Sequence, residues 1–168
     1  ENSDANNPWQ DHISKISPGV PMTESFENFD VDENILTEVE NISIIKGEWD
    51  LTSYNYSTAS HGWYSLRSGV SQEDGETRIF TVEVDDYSNF TSVSFDLNVS
   101  SELGYDLLKF YVDGIEQGSW SGNIPWQQVS FNISKGNHTL IWSYEKDSSV
   151  SIVADQAWID NITFCCSN

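Results

Sequence analysis

TSVSFDLNV, residues 91 to 99, decides the fold. Val93, Phe95, Leu97 and Val99 recur at every second position, with Ser94, Asp96 and Asn98 between them. Successive side chains of a strand point to opposite faces, so this run reads as a strand with one face in a core and the other in water. The same grammar extends outward in both directions. SFENF (25–29), NISIIKGEWDL (41–51, broken at Gly47), GWYSLRS (62–68) and TRIFTVEV (77–84) come before it. YDLLKFYVDG (105–114) follows and ends in an Asp-Gly turn, with Leu108, Phe110 and Val112 inward. IEQGSWSGNIPW (115–126) reads as a loop, QQVSFNI (127–133) places Val129, Phe131 and Ile133 together, and HTLIWSYEK (138–146) sets Leu140, Trp142 and Tyr144 on one face. DQAWIDNITF (155–164) closes the set. No segment keeps a helical period over several turns. About nine or ten short strands separated by Gly, Asn, Asp and Ser clusters predict an all-β chain, a two-sheet antiparallel jelly-roll β-sandwich.

Residues 1 to 22 carry Pro8, Pro18 and Pro21 and no sustained pattern, which predicts an extended polar leader ahead of a sandwich domain over 23–168. At 168 residues one full-sized core is expected. Seven Lys plus Arg against 27 Asp plus Glu give a net charge of −20. Such a surface repels nucleic acid and anionic lipid and favours cations, neutral partners or saline surroundings. No apolar run approaches the roughly 18 to 20 residues of a membrane span. The start at Glu1 rather than Met suggests a mature or excised segment. The adjacent Cys165 and Cys166 cannot staple distant parts of the fold, which leaves free thiols, a vicinal disulfide or a bond to another chain. Asn-x-Ser/Thr triplets begin at Asn41, Asn55, Asn89, Asn98, Asn132, Asn137 and Asn161, an excess that fits a glycosylated extracellular protein.

The closing strand raises a problem of charge. If Trp158, Ile162 and Phe164 face the core, strict alternation sends Asp160 the same way. A carboxylate there needs a cation, a proton or a metal ion. Calcium takes six to eight oxygens, and Glu27 with Asp160 supplies such oxygens on strands that a sandwich can bring side by side. Asp155, Asn161 and Asp50 are lesser candidates for the same shell. The alternatives are a solvated sheet edge, or pairing with Lys109 or Arg67.

The ordered pieces SFENF, STASHGWYSLRSG (57–69), SSELGYDLLKFYVDG (100–114), SWSG (119–122), GNHTLIWSYEKDSSVS (136–151) and DQAWIDNITF resemble the MAM-like and cleaved-adhesin class of extracellular jelly-roll modules. The likeness covers about residues 24 to 164 and omits the paired cysteines of eukaryotic MAM domains. It implies a non-enzymatic module of adhesion, glycan binding or assembly, with a structural calcium ion joining first and last strands. By position the implied ligands are Glu27, Asp160 and the main chain around His61 and Gly62.

Enzyme motifs are mostly missing. The histidines are His12, His61 and His138, without a HExxH or a GxSxG, and no strand shows closely alternating acids of a jelly-roll glycosidase. DVDEN (30–34) and EVDDYSN (83–89) lack the Gly and terminal Glu of an EF-hand. Trp120, Trp126, Trp63 and Tyr54 lie in or beside loops, where they could stack on a sugar; Trp120 is expected exposed, Trp142 and Trp158 in the core. The expectation is a calcium-stabilised, non-catalytic extracellular adhesion or assembly module that associates with copies of itself or a neighbouring protein. The competing expectation is a carbohydrate-binding appendage of a secreted hydrolase.

Overall fold

The long central strand forms where its alternation predicts. A computed structural model describes residues 22–24, 35–39, 42–45, 47–53, 60, 64–69, 77–85, 89–148 and 155–166. Among them are the strands β1 (Met22–Glu24), β2 (Ile35–Val39), β3 (Ile42–Ile45), β4 (Asp50–Ser53), β5 (Tyr64–Arg67) and β6 (Thr77–Val84). β7 (Phe90–Ser100), β8 (Leu107–Val112), β9 (Ile115–Trp120), β10 (Asn123–Asn132), β11 (His138–Glu145) and β12 (Gln156–Cys166) complete them. One sheet runs β10-β7-β12-β5-β4, with β1 also on β12; the other runs β2-β3-β6-β11-β8-β9. Every pairing is antiparallel. The protein is an all-β jelly-roll sandwich. Among the described residues no helix is long and apolar enough to cross a membrane.

Three parts of the pattern differ from the sequence reading. IEQGSWSGNIPW, taken as loop, supplies β9 and the start of β10, because the Asp-Gly turn returns the chain straight onto β8 and the chain then pairs with β7. Asp113 (φ 53) and Gly114 (φ 78) both take the left-handed conformation that suits a tight hairpin. ILTEV forms β2, which its short mixed pattern did not announce, and Met22 belongs to a strand rather than to the leader. The rest of the leader and SFENF lie outside the described residues. Gly47 breaks β3 from β4 as expected: its φ is +59, and a Cβ there would stand 2.4 Å from the Ile79 carbonyl oxygen.

The core joins the two sheets through aromatic rings. Val93, Phe95, Leu97 and Val99 of β7 are fully buried and meet Phe110, Leu140, Trp142 and Tyr144 from the facing sheet. Phe95 lies 5.0 Å from Phe110 and 5.1 Å from Trp142 by ring centroids, both edge-on. Trp142 in turn lies 4.7 Å from Phe110 and 5.0 Å from Phe80. Edge-to-face contacts of this kind add to the free energy of burial. Trp120, expected exposed, is half-buried and packs edge-on to Phe95 at 6.2 Å. Its indole closes the sandwich where edge strands β9 and β10 meet.

β12 carries the largest departure. Its register against β7 shifts between Asp160 and Thr163, and Asn161 sits at φ 53. This bulge adds one residue, so Ala157 and Ile159 face the core before it, and Ile162 and Phe164 after it. Trp158 is therefore half-buried on the outer face and not in the core as expected. Asp160 shares that outer face. The bulge also marks a change of partner, since β5 pairs with β12 at Trp158 and Ile159 while β1 pairs at Ile162 to Phe164.

A second clasp holds neighbouring turns. Asp113 Oδ1 accepts the Thr139 N–H at 2.9 Å, and its Oδ2 lies 2.7 Å from His138 Nδ1. The Thr139 N–H, with His138 beside it, holds the Asp113 carboxyl below its ordinary value of 3.8. Such a group binds its proton less readily folded than unfolded, so its stabilisation is present at neutral pH and fades as acid titrates it. Asp113→Asn is expected to cost about 0.5 to 1 kcal/mol at pH 7, and to flatten the loss of stability below the ordinary carboxylate range; thermal melts across acidic pH check both. Phe95→Ala should cost about 3 to 5 kcal/mol in denaturant unfolding, against about 0.5 or less for its outward neighbour Ser94→Ala.

Candidate functional site

The bulge brings two acids together. Asp160 pairs in register with Asp96 of β7, on the outer face of the sheet, and is itself fully buried. Ser60 lies over both: its N–H donates to Asp160 Oδ2 at 2.9 Å, and its hydroxyl lies 2.6 Å from Asp96 Oδ2 and 3.1 Å from Asp160 Oδ2. The Asn161 N–H donates to Asp160 Oδ1 at 2.7 Å, and its Nδ2 lies 3.4 Å from Asp96 Oδ2. Like charges opposite each other on adjacent strands repel. A hydroxyl has one proton for the two carboxylates it faces. Asp96, Asp160 and the Ser60 hydroxyl are hard oxygen donors of the kind calcium selects, and they supply part of its shell.

The acid at 160 therefore answers to a different geometry than strict alternation implied. It is buried on the outer face, beneath Ser60, rather than in the apolar core. Lys109 is not its partner, because Lys109 lies in the facing sheet and pairs with Glu145 at 2.6 Å. Arg67 stands across from Trp158, with Asp50 as its next partner in register. Asp155 lies at the other end of β12, engaged by Lys146 and by the Tyr144 hydroxyl at 3.2 Å. Glu27, His61 and Gly62 lie outside the described residues. Among the described residues no three His, Cys, Asp or Glu side chains form a metal-holding group. Asp96 was the member the sequence reading passed over; its signal was an acid in mid-strand on the wet face of TSVSFDLNV.

The aromatic candidates divide. Trp126 falls in the irregularity between Ile124 and Gln127, where β10 opposes Asn98 of β7, and Trp158 pairs with Asn98 from β12. The register sets two half-buried indoles on either side of one amide, with Arg67 next in line beyond Trp158. Trp63 and Tyr54 lie outside the described residues, as do Asn41 and Asn55. Of the other glycosylation candidates Asn89, Asn132 and Asn137 are exposed, whereas Asn98 and Asn161 are half-buried. Cys165 and Cys166 are free thiols on β12.

Two polar groupings had no sequence signature. Ser134, His138 and Asp113 form a Ser-His-Asp line, with His138 Nε2 3.0 Å from the Ser134 hydroxyl. The same Nε2 lies 2.7 Å from the Ser134 carbonyl oxygen, which can only accept. Serine and histidine lie four residues apart in one turn and Nε2 also faces the Ser134 main chain, so the line reads as a turn clasp rather than a nucleophile and base. The second grouping is buried: Lys146 reaches Asp155 and lies 3.4 Å from Asp106, whose Oδ1 accepts the Asp147 N–H at 2.9 Å. Burial, reinforced by Asp155, pushes the Asp106 carboxyl up. Burial pulls Lys146 down, but its two carboxylates outweigh it and the net shift is upward.

No protein-family model and no curated sequence matches the chain. Solved structures do match it. The secreted serine protease VesC from Vibrio cholerae is 17% identical with a TM-score of 0.56; the match covers 78% of this chain and 25% of VesC, about a quarter of its length. The K2 cleaved adhesin domain of Lys-gingipain is 14% identical, with 88% of this chain and 98% of that domain covered at a TM-score of 0.58. A carbohydrate-binding module, TmCBM27, studied for mannan recognition, is 12% identical, with 90% and 100% covered at a TM-score of 0.53. The adhesin half of the expected resemblance thus has a structural counterpart, while its MAM-like half rests on motifs alone. At these identities the likeness is one of fold: the chain has the β-sandwich architecture of an adhesin domain and a carbohydrate-binding module.

Proposed function

We propose that this chain is a non-catalytic binding module of an extracellular protein, in which a calcium ion at Asp96 and Asp160 fastens the Ser60 segment to the closing strand. The observation that carries the reading is the convergence of Asp96 and Asp160 on Ser60, which stands 36 and 100 positions away in the sequence. The ion would draw the two facing carboxylates together, with the Ser60 hydroxyl as a neutral oxygen donor. The resemblance adds Glu27 and the carbonyls near His61 and Gly62. Adhesion or assembly with other copies or a neighbouring extracellular protein is the role this supports best, with the residues ahead of β1 as the arm that reaches the partner. The adhesin domain that shares the fold supports this role.

Glycan binding is the second reading, favoured by Trp126 and Trp158 flanking Asn98. Indole rings suit stacking against sugar rings, and the amide between them suits their hydroxyls.

Calcium at 100 times its dissociation constant should stabilise the folded chain by about 2.7 kcal/mol, raising the melting temperature by roughly 5 to 10 °C. Chelator should reverse the rise, and Asp96→Asn or Asp160→Asn should abolish it; a melt indifferent to calcium and chelator sinks the ion. Trp158→Ala should weaken binding to a polysaccharide panel by tenfold or more (about 1.4 kcal/mol) with the fold intact. Equal retention of wild-type and variant on every polysaccharide removes the second reading.

A further inference from the structure

Lys146, Asp155 and Asp106 form a buried triad that the proposed binding role does not use. They come from three connections at one end of the sandwich: Asp106 from the β7–β8 turn, Lys146 just after β11 and Asp155 just before β12. Lys146 Nζ lies against Asp155 Oδ2 and 3.4 Å from Asp106 Oδ2, with side-chain exposures of 1% for Lys146, 11% for Asp155 and 0% for Asp106. The Tyr144 hydroxyl donates to the other Asp155 oxygen at 3.2 Å. Asp106 is itself anchored, through the Asp147 N–H to its carboxylate and through its carbonyl to the Ser101 hydroxyl at 2.8 Å.

A buried ion pair alone would need only an amine and a carboxylate. This site holds more. An amine is in contact with a carboxyl group, a second acid touches the amine, and a phenol donates to the oxygen on which negative charge would grow if the carboxyl carbon were attacked. We propose that Lys146 and Asp155 condense into an intramolecular amide cross-link, with Asp106 carrying protons for the step.

The step balances without any outside reagent. The two carboxylates hold the Lys146 ammonium, and the step begins when it hands one proton to the carboxylate it touches, which converts two buried charges into none. The neutral Nζ attacks Asp155 Cγ, a C–N bond forms, and the developing oxyanion on Oδ1 takes the Tyr144 hydrogen bond. Burial pushes that phenol up, so it keeps its proton. Asp106, whose carboxyl burial also pushes up, gives its proton to the departing oxygen and regains one from the amide nitrogen. The C–O bond breaks and one water leaves. Positive and negative charges are lost in equal number. The fixed contact supplies the proximity that makes condensation feasible where free amine and acid in water do not react.

Intact-mass spectrometry of the purified full chain is the test. The expected mass is that of the sequence less one water, and proteolysis should yield a branched peptide joining Lys146 to Asp155. Asp155→Asn offers an independent readout, because the same amide then forms with loss of ammonia and both proteins converge on one mass. Asp106→Asn, shown folded by circular dichroism, should keep its full mass. A folded wild-type chain at full mass overturns the proposal, as does a loss of water without the branched peptide, which marks cyclisation of an aspartate onto its own backbone. A folded Asp106→Asn chain that still loses water overturns the role of Asp106.

Discussion

One extra residue in the last strand governs much of this molecule. Without the bulge at Asn161, period two would carry either Ile159 or Ile162 out of the core, and the two halves of β12 could not both face the aromatic interior. With it, Ala157, Ile159, Ile162 and Phe164 all face inward, and the strand exchanges one neighbour, β5, for another, β1. The left-handed backbone at Asn161 is tolerated because asparagine visits that region more readily than most side chains. The same step leaves Asp160 outside the core and directly across from Asp96. The juxtaposition of the two acids is thus a by-product of how the core is completed.

How much of this was legible beforehand can be judged residue by residue. β6 runs over the same residues the sequence reading gave it, and β7, β8 and β11 match within two residues at each end, because Val, Phe, Leu and Trp alternate cleanly there. β9 was not, since Glu116, Gln117 and Ser119 offer no apolar face; the strand exists because a tight turn returns it onto β8. Asp160 was recognised as anomalous, but the reason assigned to it was inverted. A bulge leaves only a faint trace in sequence, here the polar pair Asp-Asn amid an apolar run. Contacts between distant segments, such as Ser60 with Asp96 or Lys146 with Asp106, are set by tertiary register, and no spacing rule encodes them.

The net charge of −20 gives the two acid groupings a common background. Each lies at a place where carboxylates from separate strands or turns are drawn into a confined space, and each is resolved differently. At Asp106 and Asp155 the chain supplies its own partner, the Lys146 amine. At Asp96 and Asp160 a hydroxyl, a side-chain amide and backbone N–H groups are drawn onto the two acids. A chain with few cations has spent one of its seven on the first grouping, and burial there shows that the position is structural rather than decorative.

Pro125 falls within β10, an edge strand, beside the irregularity between Ile124 and Gln127. A proline has no N–H to offer, and an irregular ladder bends the strand away from the flat line another strand would need. This rim of the sandwich is accordingly shielded from runaway stacking of one molecule on the next. For a chain with 13% aromatic residues, that shielding works against precipitation.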